Sequence, residues 1–347
     1  MNKLNIKKAE KALDSLPAYS KKSFIIFKER WPHLSNIKFN EFRVAANSVI
    51  KKNHIKNKLS CLNADEFVKY KINEYEKIHT KSKSLVEYGF VSETFSRKYN
   101  DKGLHVIMPC FHAPHYNASF YNSFKRFLTE KRNEIVALHI IGDFLDMQAL
   151  SSHDINNISA NTLDKEYRIG NRILDEITSI LSPNILKTYI WGNHEDRYNR
   201  YMRNVNNAKL GTALQSPTEG LKLTARGFHV FENWKQSYIT IGEHLTLCHG
   251  EFVNIHTAKK HIDTYRKSVM YAHTHRKQVY IEGNTGGFNI GSMANFDDSA
   301  FGYASRAMKS SWTNSFSTVF IDDQGYYHVE IPSWVNNRFI YGGKTYL

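Results

Sequence analysis

Five short polar clusters in this 347-residue chain hold side chains of the kinds that bind metal ions. They are Cys110-Phe111-His112, Gly142-Asp143-Phe144-Leu145-Asp146, Gly192-Asn193-His194-Glu195, Cys248-His249-Gly250 and Ala272-His273-Thr274-His275. Imidazole, carboxylate and amide oxygen together fit borderline and hard divalent ions such as Mn, Fe, Zn or Ni. A central carboxylate can bridge two ions through its two oxygens. Two ions about 3.5–4 Å apart can activate a water and stabilise the leaving oxygen of a phosphoryl displacement. Taken singly, each cluster has an ordinary explanation: GNHE can be a turn, GDFLD an Asp-rich turn, and His-x-His a pair of surface or core histidines. Together, in this order and each after an apolar run, they point to one site.

Those apolar runs are the elements that must position the clusters. LHVIM, VALHIIG, KTYIWG, HLTLCHG and SVMYAH are short and rich in β-branched and aromatic residues, which predicts strands. FYNSFKRFLTEKR and DKEYRIGNRILDEITSIL lie between the first three and read as helices. Strands alternating with helices predict a layered α/β domain over 104–347. In open α/β sheets ligands bind beyond the carboxyl ends of the strands, which is where the clusters fall. NIGSMAN, STVFID and YYHVEI read as later, antiparallel strands. His105 and His139 lie within strands and read as structural, and Cys248 as a small buried hydrophobe.

The N-terminal part differs in composition. Residues 1–80 read as helices, with Pro17 and Pro32 at the first two boundaries, and form an expected small all-helical domain. Arg43, Lys51 and Lys52 beside an apolar face allow a helix-turn-helix or another small bundle. Residues 81–103 are expected to be a linker. Of the charge, 21 Lys and Arg against 10 Asp and Glu fall in residues 1–100, whereas 101–347 holds 26 and 23. Such asymmetry favours a nucleic-acid partner over a merely solvated basic face. Three widely spaced cysteines do not make a disulfide framework. No apolar run approaches the length of a membrane span, and the N-terminus has no secretory signal. A cytoplasmic protein with no membrane partner is expected.

The order GDFLD, GNHE, His-Gly and His-Thr-His resembles the calcineurin-like metallophosphoesterase superfamily over about residues 104–322. The usual series there is Asp-x-His, GDxxD, GNH(D/E), a His before Gly, and GHxH. The segments Leu150-Ser151-Ser152-His153-Asp154 and SSWTNSF resemble phage-encoded members with a small N-terminal helical domain, which would work in the host cytoplasm. The resemblance implies a sandwich of two mixed sheets flanked by helices, holding two divalent metal ions (Mn, Zn, Fe or Ni). It implies that Asp143 bridges the ions, that His112 and His275 hold the first, and that Asn193, His249 and His273 hold the second. His194 would face the scissile phosphate without binding metal, and Asp146 would hold its ring. Arg197 and Arg276 follow the motifs and are candidates for phosphate contacts or for surface ion pairs. Two positions depart from the series. Ala272 replaces a Gly, and Cys110 replaces the first Asp, leaving either a thiolate ligand suited to Zn or Fe or a small buried residue beside a weak or absent first ion. Phosphodiester hydrolysis by a nuclease is the leading expectation. A phosphomonoesterase or a protein or nucleotide phosphatase is the second, and a nucleic-acid-binding protein disabled by Cys110 the third.

Overall fold

Alternating apolar side chains build two sheets that share an inner face. The computed structural model describes residues 96–151, 162–204, 207 and 213–347, and the expected helical domain 1–80 lies outside them. The chain runs through β1 (Ser96–Tyr99), β2 (Gly103–Met108), α1 (Ala118–Lys131), β3 (Ile135–Ile141), α2 (Leu163–Ile180), β4 (Leu186–Ile190) and α3 (Asp196–Met202). It continues through α4 (Pro217–Gly220), β5 (Phe228–Phe231), β6 (Tyr238–Ile241), β7 (Leu245–Leu247), α5 (Thr257–Tyr265) and β8 (Ser268–Tyr271). It ends with β9 (Lys277–Glu282), β10 (Thr285–Ile290), α6 (Arg306–Lys309), β11 (Ser317–Ile321), β12 (Tyr327–Glu330), β13 (Phe339–Tyr341) and β14 (Lys344–Tyr346).

One six-stranded sheet has the order β12-β11-β2-β3-β4-β5, and the other β1-β6-β7-β8-β10-β9. Both are mixed. Strands β2 to β5 pair in parallel, while β11 joins β2 and β12 in antiparallel fashion. In the second sheet β8 is parallel to β7 and β10, and β9 closes one edge antiparallel to β10. The expected sandwich of two mixed sheets with flanking helices is the observed architecture, and β11 and β12 are antiparallel as their sequence predicts. Within the stretch expected as linker, Ser96–Tyr99 forms a strand paired with Tyr238–Ile241. Its four residues include two exposed charged side chains, so its sequence carries little apolar signal.

Period-2 alternation explains the layers. Leu104, Val106 and Met108 of β2 point to a core shared with Phe120, Phe124 and Phe127 of α1 and Ile173, Leu174 and Ile177 of α2. Ile107 of β2 turns the other way, joining Ile141, Ile190, Ile239, Leu247, Met270 and Ile290 in a second core between the sheets. Helix α1 starts where the Asn117 side chain accepts from the Phe120 amide, and α2 where Thr162 accepts from Lys165, which satisfies otherwise orphaned donors. His105 and His139 sit between the sheets in a closed chain. His105 Nε2 donates to the Asp101 carbonyl (2.7 Å), which leaves Nδ1 to accept from His139 Nε2 (2.9 Å). His139 Nδ1 in turn takes the Thr188 hydroxyl (2.8 Å). Burial lowers both imidazoles, so neutral rings link three adjacent strands. Among the described residues no helix is long and apolar enough to cross a membrane.

Candidate metal centre

The five clusters follow the carboxyl ends of β2, β3 and β4 in one sheet and β7 and β8 in the other. Sharp turns out of these strands aim the side chains inward. His112, Asp143, His273 and His275 all have φ between 50° and 65°. That left-handed region is uncommon outside glycine, and it concentrates where function over-determines the backbone. Two neighbouring glycines make room. A Cβ on Gly142 would strike His249 Nδ1, and one on Gly192 would strike the Asp143 carboxylate.

Asp143 is central. Its Oδ2 lies 3.2 Å from His249 Nε2 and 3.9 Å from Cys110 Sγ, and its Oδ1 accepts from the His194 amide at 2.9 Å. Burial alone would raise this carboxyl, but His249, His194 and His112 outweigh it and hold it well below the ordinary carboxylate range. His249 Nδ1 donates to the Ile141 carbonyl (2.9 Å). Burial opposes charge on this ring, yet Asp143 prevails and raises its pKa, and in the metal-free site a protonated Nε2 donates toward two oxygens. These are Asp143 Oδ2 and, at 3.0 Å, Asn193 Oδ1. On the other side His112 Nδ1 donates to Asp146 Oδ1 (2.9 Å), leaving its Nε2 facing His275 Nε2 at 2.9 Å. His275 Nδ1 and His273 Nδ1 are buried with no partner. Burial, then the charge of His249, pushes His273 down to about 3, and His275 is lowered by burial and His112.

The site thus gathers ring nitrogens and oxygens that shared protons hold at 2.9–3.2 Å and that a divalent cation could hold in their place, and its buried unpartnered Nδ1 atoms are costly. The donor set fits divalent ions of the borderline class. Three groupings have donor atoms within 4.8 Å of one another: Cys110, His112 and His275; Cys110, Asp143 and His249; His112, Asp143 and His194. Cys110 belongs to two of them. Its buried sulfur accepts from the His273 amide at 3.2 Å, and burial and then Asp143 push the thiol well above its ordinary value. A coordinated ion would reverse that and take the thiolate.

His194 stands at the edge of this cluster. Its Nδ1 donates to the Asp146 main-chain carbonyl at 2.7 Å, with Asp146 Oδ1 farther, at 3.3 Å. The Asp146 side chain therefore orients His112 more tightly than His194, and the backbone of the same residue orients His194. Burial opposes charge on the His194 ring, yet Asp143 and Asp146 prevail over burial and Arg197 and raise its pKa. Arg197 is largely buried, donating to the Asp146 carbonyl at 2.7 Å with Nη2 3.3 Å from His194 Nε2. Arg276 is half-buried and turned to Ser311 and to the Asn254 carbonyl.

Two buried glutamates that sequence reasoning gave no role hold the loops. Glu195 accepts from the amides of Asp143, Leu145 and Gly192 and from the Tyr189 hydroxyl, all within 3.0 Å. Its place in GNHE was a visible signal. Glu166, in the first turn of α2, accepts from the Met147 and Gln148 amides (2.5 and 2.8 Å), and burial and then Asp146 push it up to about 8. Nothing in its sequence context marks it. Aromatic rings wall the Cys110 side: Phe301 packs against His112, and Trp312 against His275.

Neither a family profile nor a curated protein sequence matches the chain. Among solved structures it is similar to Vacuolar Protein Sorting 29 from Cryptosporidium parvum, at 15% identity over 71% of this chain and 95% of that one, TM-score 0.37. A predicted phosphoesterase from Streptococcus pneumoniae is 12% identical over 71% and 97% of the two chains, TM-score 0.31. A putative 5'-nucleotidase from Staphylococcus aureus is 10% identical over 65% and 52%, TM-score 0.36. Overlap at this level leaves the reading of the site to its own geometry.

Proposed function

We propose that the chain is a metal-dependent phosphodiesterase that acts as a nuclease on DNA or RNA, of the calcineurin-like class its motif order resembles and of the phage-encoded type that its 150–154 and SSWTNSF segments resemble. The observation that supports this is the clustering of metal-ligating groups around Asp143. His249 Nε2 faces two oxygens, and the His112 and His275 Nε2 atoms face each other, an arrangement in which divalent cations could replace the shared protons. Asp143 would be shared between the two ions, with Cys110, His112 and His275 on one side and Asn193, His249 and His273 on the other. Bound divalent ions would supply a water acidic enough to attack at neutral pH and would stabilise charge on the phosphate. The protein's own groups do the rest. His194 is fixed through Nδ1 by the Asp146 carbonyl, and its Nε2, which faces Arg197 here, could as an imidazolium pass a proton to the leaving oxygen once Arg197 turns to the phosphate. Arg197 beside it can donate to a phosphate oxygen.

The basic composition of residues 1–100 supports a polyanionic substrate. The free thiols of Cys110 and Cys248 suit a reducing cytoplasm. The test is to load purified protein with Mn or Zn and assay single- and double-stranded DNA and RNA beside small phosphate esters. Cleavage of a polymer that disappears in His249→Ala is the expected result. Activity on monoesters alone would replace the nuclease by a phosphatase. Metal-independent nucleic-acid binding with no hydrolysis would favour the disabled protein that the buried Cys110 thiol makes conceivable.

A further inference from the structure

A cleft of about 490 Å³ opens beside the candidate centre and reaches it at Asn193 and His273. That volume is within the range of small-molecule sites. One wall is α3 and its end, which carry Arg200 and Arg203 three residues apart on one helical face. The other is the turn after β5, carrying Asn233, Trp234, Lys235 and Gln236. The Trp234 ring centre lies 5.9 Å from that of His273 and 6.1 Å from that of His249, and Lys235 Nζ is 5.4 Å from the same indole. Asp196 is the cleft's carboxylate and is already engaged, accepting from Asn199 at 3.1 Å and lying 3.6 Å from Arg200. Three cations, an indole face and amide side chains match a phosphate-bearing heterocycle. The cations suit phosphates, the ring a base face, and the amides base edges.

We propose that this cleft is a nucleotide subsite that takes an unpaired base next to the scissile phosphate. The base stacks on Trp234, and Arg200, Arg203 and Lys235 hold the flanking phosphates. This rests on the nuclease reading of the adjoining centre and narrows its substrate to single strands. Bases in a duplex are stacked on one another, so only an unpaired or extruded base can offer a face to the indole.

The test compares Mn-loaded wild type, Trp234→Ala, Trp234→Phe and Arg203→Ala. The substrates are single-stranded DNA and RNA oligonucleotides, the same sequences as duplexes, and bis(4-nitrophenyl) phosphate. The wild type should cleave the single strand at least about tenfold faster than the duplex. In Trp234→Ala the ratio of kcat/KM for the single strand to that for the small diester should fall about tenfold or more, through KM, because one base–aromatic stack is lost. Trp234→Phe, which keeps a ring, should recover most of it. Arg203→Ala gives an independent readout: the slope of log KM against log salt should shrink by about one. Equal cleavage of single strand and duplex, or an unchanged ratio in Trp234→Ala, overturns the subsite and leaves the nuclease reading standing. No cleavage of any oligonucleotide by the wild type removes the nuclease reading, and the subsite with it.

Discussion

The two halves of the candidate centre share Asp143, and Cys110 Sγ lies within reach of donors on both sides. The Cys110–His112–His275 half is sealed, with each residue no more than 4% exposed and aromatic rings packed against it. The Asn193–His249–His273 half opens at Asn193 and His273 onto a basic cleft. On the proposed function, the difference would separate holding an ion from meeting a substrate. The sealed half is buried and has a sulfur donor, whereas the open half adjoins Arg200, Arg203 and Lys235, which would take phosphates.

Removing what the halves share should have the largest effect. Asp143→Asn should lower kcat on an oligonucleotide by about a thousandfold or more, since charge stabilisation on both sides depends on it. Loss of both ions by metal analysis is the accompanying readout. Next come the single-side variants. His275→Ala and His273→Ala should each lose one ion and keep the other, with rates down about a hundredfold. Equal loss of both ions in either variant would show that the halves are not separable. Cys110→Asp should then shift the sealed half's preference from Zn toward Mn, read by competition of the two metals, because a hard carboxylate replaces a soft sulfur.

Stability separates the loops from the ions they would frame. Glu195→Ala strips acceptors from three buried amides and the Tyr189 hydroxyl. It should destabilise the metal-free protein by about 3 kcal/mol or more in urea unfolding. The smallest effect lies far from both halves. His105 and His139 are held neutral, with pKa values below the ordinary 6.5. The unfolded chain therefore binds more protons than the native one below that pH, and stability falls as pH falls. His139→Asn should make the stability slope between pH 6 and 5 shallower by about 1 kcal/mol per pH unit.

Much of this was legible in the chain. The strands that carry the motifs announce themselves as apolar runs, and Asp143, Asn193, His249, His273 and His275 stand where those runs stop. Their convergence follows from strand-end loops of two sheets sharing a core. Other features left no mark. Ser96–Tyr99 is a strand only because Tyr238–Ile241 offers an edge, so a local reading takes it for linker. Trp234 lies in a turn with no motif, and Glu166 is one acidic residue among several in α2 whose partner loop is distant in sequence. That Asp146 grips His194 through its backbone and His112 through its side chain depends on loop geometry that residue types do not encode.

Metal content of the purified chain, measured by inductively coupled plasma mass spectrometry beside Asp143→Asn, probes the central idea most directly. The wild type should carry close to two equivalents of divalent transition metal after equilibration with Mn or Zn, and Asp143→Asn well under one. A folded wild type that retains none, or an Asp143→Asn protein that retains as much as the wild type, would contradict it.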